Sequence, residues 1–436
     1  MTEVESDLHS LEAIVGQGLC VGCGLCQSIA GQNNVRMTLI GDGGERPVVT
    51  GKVDSQALRH INAVCPGIHC EGYDHSTAED SDEEPPEVHP IWGPTRSMAI
   101  GHAADPDVRF RASSGGALSA LALHLLRSRE VEFVLHVAAS KEHPVRSVRH
   151  LSFDATAVME GSGSRYGPAA PLIDFRTILD RGQPFAFIGK ACDISAIRNY
   201  ARIDARVAKL LRYCLNFYCG GVSQLRKTLG YIDKAGLTEQ DVAHLRYRGN
   251  GCPGPMNITS RSGEVYSFSY NEVWDDESRW QLQFRCKICP DSLGDLADVS
   301  VADVWPGGKP DTEGLGFNGF IARTQRGVRL MKSAVDAGAI KLTEPLDYKG
   351  LELAQGSHMK KKQALTSRLA AMRDHGLIAP SFVKLRLDEA SRMADGDFRR
   401  SNYEGMLDRL RRGDNLETVS RPTDRAREEN SGADDS

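Results

Sequence analysis

The sequence predicts an α/β (mixed α+β) protein with a small cysteine-rich unit at its start, an α/β core and a helical C-terminal region. Three observations predict this. Between about residues 95 and 350, apolar runs of strand length alternate with stretches of helical spacing. Five of the eleven cysteines fall in the first 72 residues, and from about 350 the pattern turns helical and charged. A chain of 436 residues has room for two or three domains and a core that needs no covalent staples, so the cysteines are free for chemistry.

Taken in order, residues 1–74 carry Cys20, Cys23, Cys26, Cys65 and Cys70 with few long apolar runs, and read as a small metal-organised unit. Residues 75–92 begin "HSTAEDSDEEPPEVHP", acidic, proline-containing and nearly free of apolar side chains, the composition of a solvated linker. Residues 93–350 form the α/β core. There "GALSALALHLLRS" has helical spacing, "VEFVLHVAA" is a buried strand, and "PFAFIG" is a strand leading into the helical "CDISAIRNYAR". "LLRYCLNFYCGG" is a strand ending in a glycine turn, followed by the helical "SQLRKTLGYIDKAG". "MNITSRSGEVYSFSY" predicts a hairpin around Ser262-Gly263, and "FNGFIARTQ", "RGVRLMKSAVDAG" and "AIKLTEPL" give a strand, a helix and a strand. Residues 351–414 are helical and 415–436 a polar, disordered tail.

Charge narrows the partners. With 53 Lys and Arg against 58 Asp and Glu, the net charge of -5 offers no general field for nucleic acid. Residues 1–19 lack the basic and apolar regions of a signal peptide, and no apolar run approaches the roughly 20 residues that span a bilayer. The expectation is a cytoplasmic protein, where thiols stay reduced and clustered cysteines bind metal more often than they form disulfides.

"GLCVGCGLCQSIAG" places Cys20, Cys23 and Cys26 two residues apart. Bacterial ferredoxins follow such a triplet with a fourth cysteine before proline, which serves the other cluster of a pair. Ala30 occupies that place here, so a lone cluster must take its last thiolate elsewhere. Cys65, before Pro66, completes the set of Cys20, Cys23, Cys26 and Cys65, with Cys70 as the alternative fourth ligand. Zinc sites favour separated C-x2-C pairs, which makes zinc the weaker reading. A second C-x2-C, Cys286 and Cys289, is ambiguous alone, but Cys192 and Cys219 stand at the carboxyl ends of predicted strands, where α/β folds present chemistry.

The ordered series "SSGGALSALALHLL" (113–126), "GSRYGPA" (163–169), "FIGKACDISAIR" (187–198), "FYCGG" (217–221), "LRYRGNGCPG" (245–254) and "RCKICPDSLGDLADVSVAD" (285–303) resembles the coenzyme F420 hydrogenase/dehydrogenase beta-subunit family over roughly residues 95–350. The resemblance implies an iron-sulfur flavoprotein with FAD beside a 4Fe-4S cluster held by Cys192, Cys219, Cys286 and Cys289. A fused ferredoxin-like start, common in the family, implies a second 4Fe-4S cluster. Ala191 replaces a proline of the family pattern, and Lys190 a small residue. Cys252, in a matched motif, is an alternative to Cys219, and Cys214 is left over as a small buried hydrophobe.

For the flavin, Ser113, Ser114, Gly115 and Gly116 open a helix whose backbone N–H groups can meet a pyrophosphate. Arg165, Lys190 and Arg248 are expected near phosphate or reduced flavin, with Lys190 and Arg165 ranked first and Arg111 and Arg246 behind them. Asn250 sits on a loop expected to cross a ligand. Lys190, Tyr166 and Asp193 are the candidate catalytic residues, with helix capping the competing role for Asp193; His124 reads as a core histidine. The favoured expectation is electron flow from a ferredoxin-type donor through two 4Fe-4S clusters to FAD and on to a small organic substrate. The alternatives are a coenzyme F420-dependent dehydrogenase or hydrogenase beta subunit, or an electron-transfer subunit of a larger complex. A homo-oligomer or a redox partner subunit stays open.

Overall fold

The computed structural model describes residues 8–41, 43–73, 85–308, 310 and 313–417. An eight-stranded mixed sheet organises them, in the order Ile340–Pro345, Ser97–Ala103, Phe317–Ala322, Val299–Val304, Leu211–Phe217, Phe185–Gly189, Phe133–Ala139, Ser147–Ser152. The four strands Phe133–Ala139, Phe185–Gly189, Leu211–Phe217 and Val299–Val304 run parallel; the flanking strands are antiparallel. Strands covered on both faces read as continuous apolar runs, which is why "VEFVLHVAA" and "PFAFIG" carry almost no polar residues. The edge strand Ile340–Pro345 is exposed beyond its first residue and carries Lys341 and Glu344, charges that discourage further pairing.

Alternation along the strands divides the interior in two. Val134, Ala186, Tyr213 and Leu215 face one core with the helix Ala117–Arg127 and the helix Gln325–Asp336. Phe133, Leu135, Phe185, Phe187 and Cys214 face the other, against Ile194 and Ile197 of the helix Ala191–Tyr200. The second core also contains Leu11, Val21, Leu25, Val35 and Ile61. Residues 8–41 and 43–73 therefore form a layer of the main fold. They do not stand apart as the separate unit the sequence suggests, because their short helices bury too little apolar surface among themselves.

The C-terminal region closes over the same layer. Leu365, Leu369, Met372, Met406 and Leu410 pack with Ile14, Val15, Leu19, Cys20 and Ile68, and with Phe284 and Ile288. It is not purely helical, since Ser381–Val383 pairs in parallel with His69–Glu71. Of the expected linker 75–92, residues 75–84 lie outside the described residues, while Glu87–His89 pairs with Gly93–Thr95 and Ile91 and Trp92 are buried. Apolar Ile91 and Trp92 outweigh the acidic composition before them. The tail expected at 415–436 is described only to Glu417, and Asn415 within it is buried. The hairpin forms as expected, Met256–Ser260 with Val265–Phe268, within a three-stranded sheet that has its own core around Tyr247, Ile258 and Trp274. Among the described residues no helix is long and apolar enough to cross a membrane.

Candidate functional site

The carboxyl ends of the parallel strands converge on one cavity of about 250 Å³. Strand Phe185–Gly189 delivers Lys190 and Asp193, strand Leu211–Phe217 delivers Tyr218 and Cys219, and strand Val299–Val304 delivers Asp303. Gly116 to Ser119, the start of the helix Ala117–Arg127, form another wall.

Of the residues expected to bind a cofactor, Ser113, Gly116, Arg165, Tyr166, Lys190 and Arg248 line this cavity. Ser114 and Gly115 lie just behind it. Ser114 accepts a hydrogen bond from Arg248 Nη2 at 3.0 Å and donates to Asp303; a Cβ on Gly115 would come within 2.8 Å of Asn318 Oδ1, so the turn needs glycine there. Asn250 is exposed and outside the lining, on a loop tied down through Gly251 N–H to Phe110 and Gly254 N–H to Glu313. Arg248, 3 % exposed, pairs with Asp303 at 2.7 Å, donates to the Tyr166 hydroxyl at 3.3 Å and lies over Tyr270 and Trp305. Arg165 gives its hydrogen bonds to Ser147 and to the carbonyls of Leu245, Pro144, Val145 and Arg146. These bonds brace the wall and occupy donors that the sequence reading reserved for phosphate.

Lys190 Nζ meets Asp193 Oδ2 at 2.7 Å, and the same carboxylate accepts from the Lys190 backbone N–H. Asp193 thus helps cap its helix, as weighed from the sequence. Its other oxygen, Oδ1, is buried without a hydrogen-bond partner among the described residues. His124 is a core histidine bonded to Ser333 at 2.9 Å.

Each expected cysteine set is gathered. Cys26 and Cys65 lie within electrostatic reach of Cys23, and Cys20 and Cys65 within reach of Cys26. Likewise Cys219 and Cys289 act on Cys192, and Cys286 acts on Cys219 and Cys289. Burial first, then the neighbouring thiols, push Cys65 up to about 12 and Cys219 to about 11. Thiols so buried give up their protons only to a cation placed among them, and an iron-sulfur cluster would be such a group. Among the described residues no three potential ligands lie close enough to share a single ion. The sets fit a cubane, with its spread corners, better than zinc, which draws sulfurs to about 2.3 Å. Close approach supports this fit: a Cβ on Gly67 would stand 2.6 Å from Leu19 O and 3.2 Å from Cys65 Sγ. Cys70 donates to Pro66 O and lines a small void with Cys192 and Cys289, on the side of the second set. Cys252 sits among Arg248, Asp303 and Glu313, and Cys214 in the strand interior near Arg198 and Asp298.

Sequence reasoning missed Asp303, Asn318 and His136 in the cavity wall. Asp303 had a signal, since it ends a matched motif. His136 had none: it alternates into a buried strand, donates to or accepts from Ser152 Oγ at 2.7 Å, and burial lowers it to about 4, so it is neutral.

The coenzyme F420 hydrogenase/dehydrogenase beta-subunit N-terminal model matches residues 98–175 and the C-terminal model matches 182–347. Over 302 residues the chain is 23% identical to a coenzyme F420 hydrogenase subunit beta of Methanococcus voltae, covering 66% of this chain and 99% of that one. It is 32% identical over 123 residues to the protein of the same name from Methanothermobacter thermautotrophicus, covering 27% of this chain and 41% of that one. A chain of the F420-reducing NiFe hydrogenase complex from Methanosarcina barkeri shares the fold, with a TM-score of 0.50 at 18% identity over 65% of this chain and 96% of that one. On these matches and the ordered motifs that carry them, the chain belongs to the coenzyme F420 hydrogenase/dehydrogenase beta-subunit family and is an oxidoreductase.

Proposed function

We propose that this chain is a flavin-bearing electron-transfer subunit that exchanges hydride with a deazaflavin of the coenzyme F420 type and passes single electrons through two 4Fe-4S clusters to a redox partner. The observation that carries the reading is the meeting of Cys192, Cys219, Cys286 and Cys289, from three separate stretches, beside a cavity whose wall includes Cys219. The names of the relatives support the deazaflavin over the ferredoxin-fed organic substrate that the sequence favoured.

FAD, when bound, supplies the exchange between electron pairs and single electrons. The residues do the rest. At the helix start the N–H groups of Gly116 and Ala117 are taken by Ser113 O and Asn318 Oδ1, which leaves those of Leu118 and Ser119 in the first turn to meet phosphate. Charged groups of the lining are Arg165, Lys190 and Arg248 against Asp193 and Asp303, a balance that suits an anionic cofactor. Lys190, held by Asp193, keeps a positive charge where reduction adds a negative one, and Asp193 Oδ1 is an acceptor free for a ring N–H. Tyr166, held by Arg248 and packed 4.1 Å from Trp274, presents a rigid aromatic surface at the wall.

A second reading rests on one observation: Cys20, Cys23, Cys26 and Cys65 lie outside the matched residues 98–347. That extension suits a ferredoxin-type donor, with an organic substrate at the flavin. Anaerobic purification with iron, sulfide and flavin analysis tests the common part, with about eight irons and one FAD per chain expected. Bleaching of oxidised coenzyme F420 by the prereduced protein supports the first reading. Zinc without flavin overturns both.

A further inference from the structure

Arg46 is 1 % exposed, and no motif marks it. Its guanidinium pairs bidentately with Glu417, with Nη2 to Oε1 at 2.6 Å; Nη2 also donates to Gln283 Oε1 at 3.1 Å and Nη1 to Glu45 O at 3.0 Å. Gln283 in turn donates to Cys286 Sγ at 3.5 Å. On the opposite side, Gly22 donates to Cys20 Sγ at 3.3 Å, and a Cβ on Gly22 would lie 3.5 Å from Arg46 Nη1. The arginine therefore stands between a ligand of the first set and a ligand of the second.

A buried ion pair is a poor way to hold two segments together, because desolvation offsets most of its attraction and apolar residues would do as well. The arrangement makes sense as a fixed field. Burial works against the charge on Arg46, but its bonds to Glu417 and the fields of Cys20, Glu417 and Cys286 hold its proton above the ordinary arginine value. Reduction of a cluster adds one negative charge, and a nearby permanent cation favours it.

Resting on the two-cluster reading above, we propose that Arg46 is a positioning residue that links the two clusters: its charge raises the reduction potential of both, and Gln283 fixes it between them. The test uses the full chain purified without oxygen, with Arg46→Gln, Arg46→Lys and Glu417→Gln, each analysed for iron and then titrated potentiometrically by electron paramagnetic resonance. Arg46→Gln is expected to lower both midpoints by the equivalent of about tenfold in the reduced-to-oxidised ratio, ~59 mV for one electron. Glu417→Gln is expected to raise them, and Arg46→Lys to leave them near the native values. A merely structural clamp would move no potential, and would certainly not move them in opposite directions. Should Arg46→Gln lose its iron, Glu417→Gln decides. A native chain with about eight irons whose midpoints ignore Glu417→Gln overturns this inference alone; one with about four overturns the two-cluster reading and the inference with it.

Discussion

The two cysteine sets are built in opposite ways. The first comes from one tight run, Cys20 to Cys26, plus Cys65 at the end of the helix Ser55–Val64, and its frame is local. The second is drawn from Cys192, Cys219 and the Cys286–Cys289 pair, each placed by a different strand end or turn of the main fold. Their protection is not divided the same way. Cys20 and Cys65 of the local set are walled by the far end of the chain, through Leu365, Met372 and Leu410, while Cys23 and Cys26 pack, like Cys192 of the dispersed set, into the core against the main sheet. Local ligand spacing can specify a cluster, but burying one takes the rest of the protein.

The sharpest way to break this comparison is to remove one ligand from each set. Cys219→Ser is expected to cost about four of eight irons and more than a hundredfold in electron delivery, because the cavity loses its adjoining cluster. Cys23→Ser should cost as much iron but leave hydride exchange between deazaflavin and flavin near native. Equal loss of flavin reduction in both would mean that the sets do not act in series.

Arg248→Ala comes next. It strips Asp303 of its ion-pair partner, leaving it the Ser114 hydroxyl, and Ser114 of a donor, with about 3 kcal/mol of stability expected to go. Thermal unfolding would show the loss, together with reduced flavin content and unchanged first-set iron. Gly67→Ala drives a Cβ against Leu19 O and Cys65 Sγ, at about 2 kcal/mol, and should loosen iron in the first set alone.

The smallest effect sharpens the contrast through pH. His136 lies in the cavity wall, and burial lowers it to about 4. Below the unfolded value near 6.5 the unfolded chain takes up a proton that the fold refuses, so stability present above 6.5 is lost as pH falls toward 4. About 1 kcal/mol should be gone by pH 5.5, and His136→Gln should abolish that part of the slope. Urea unfolding across this range measures it.

Much of this was legible. Strand and helix periods located five of the eight strands of the main sheet, since residues such as Phe133, Val134 and Leu135 answer to local alternation, but not Ser97–Ala103, Ser147–Ser152 or Val299–Val304. Spacing and the ordered motifs named the two cysteine sets that the fold brings near one another. The rest was not legible for a physical reason. Arg46 and Glu417 are 371 residues apart, and an isolated charge carries no periodicity that names its partner. Ser381–Val383 is too short to signal a strand, and only the edge at His69–Glu71 makes it one. Arg165 looked like a phosphate ligand because sequence shows a charge but not the carbonyls waiting for it.

The pairing of Ser381–Val383 with His69–Glu71 also sets an order of events. A ribosome releases Cys20, Cys23, Cys26 and Cys65 some three hundred residues before the segment that pairs beside Cys70 and the helices that cover Cys20. Throughout that interval Cys20 and Cys65 lack this part of their wall, while the residues that pack around Cys23 and Cys26 are already made. Among the first cysteines synthesised, these two are the last enclosed.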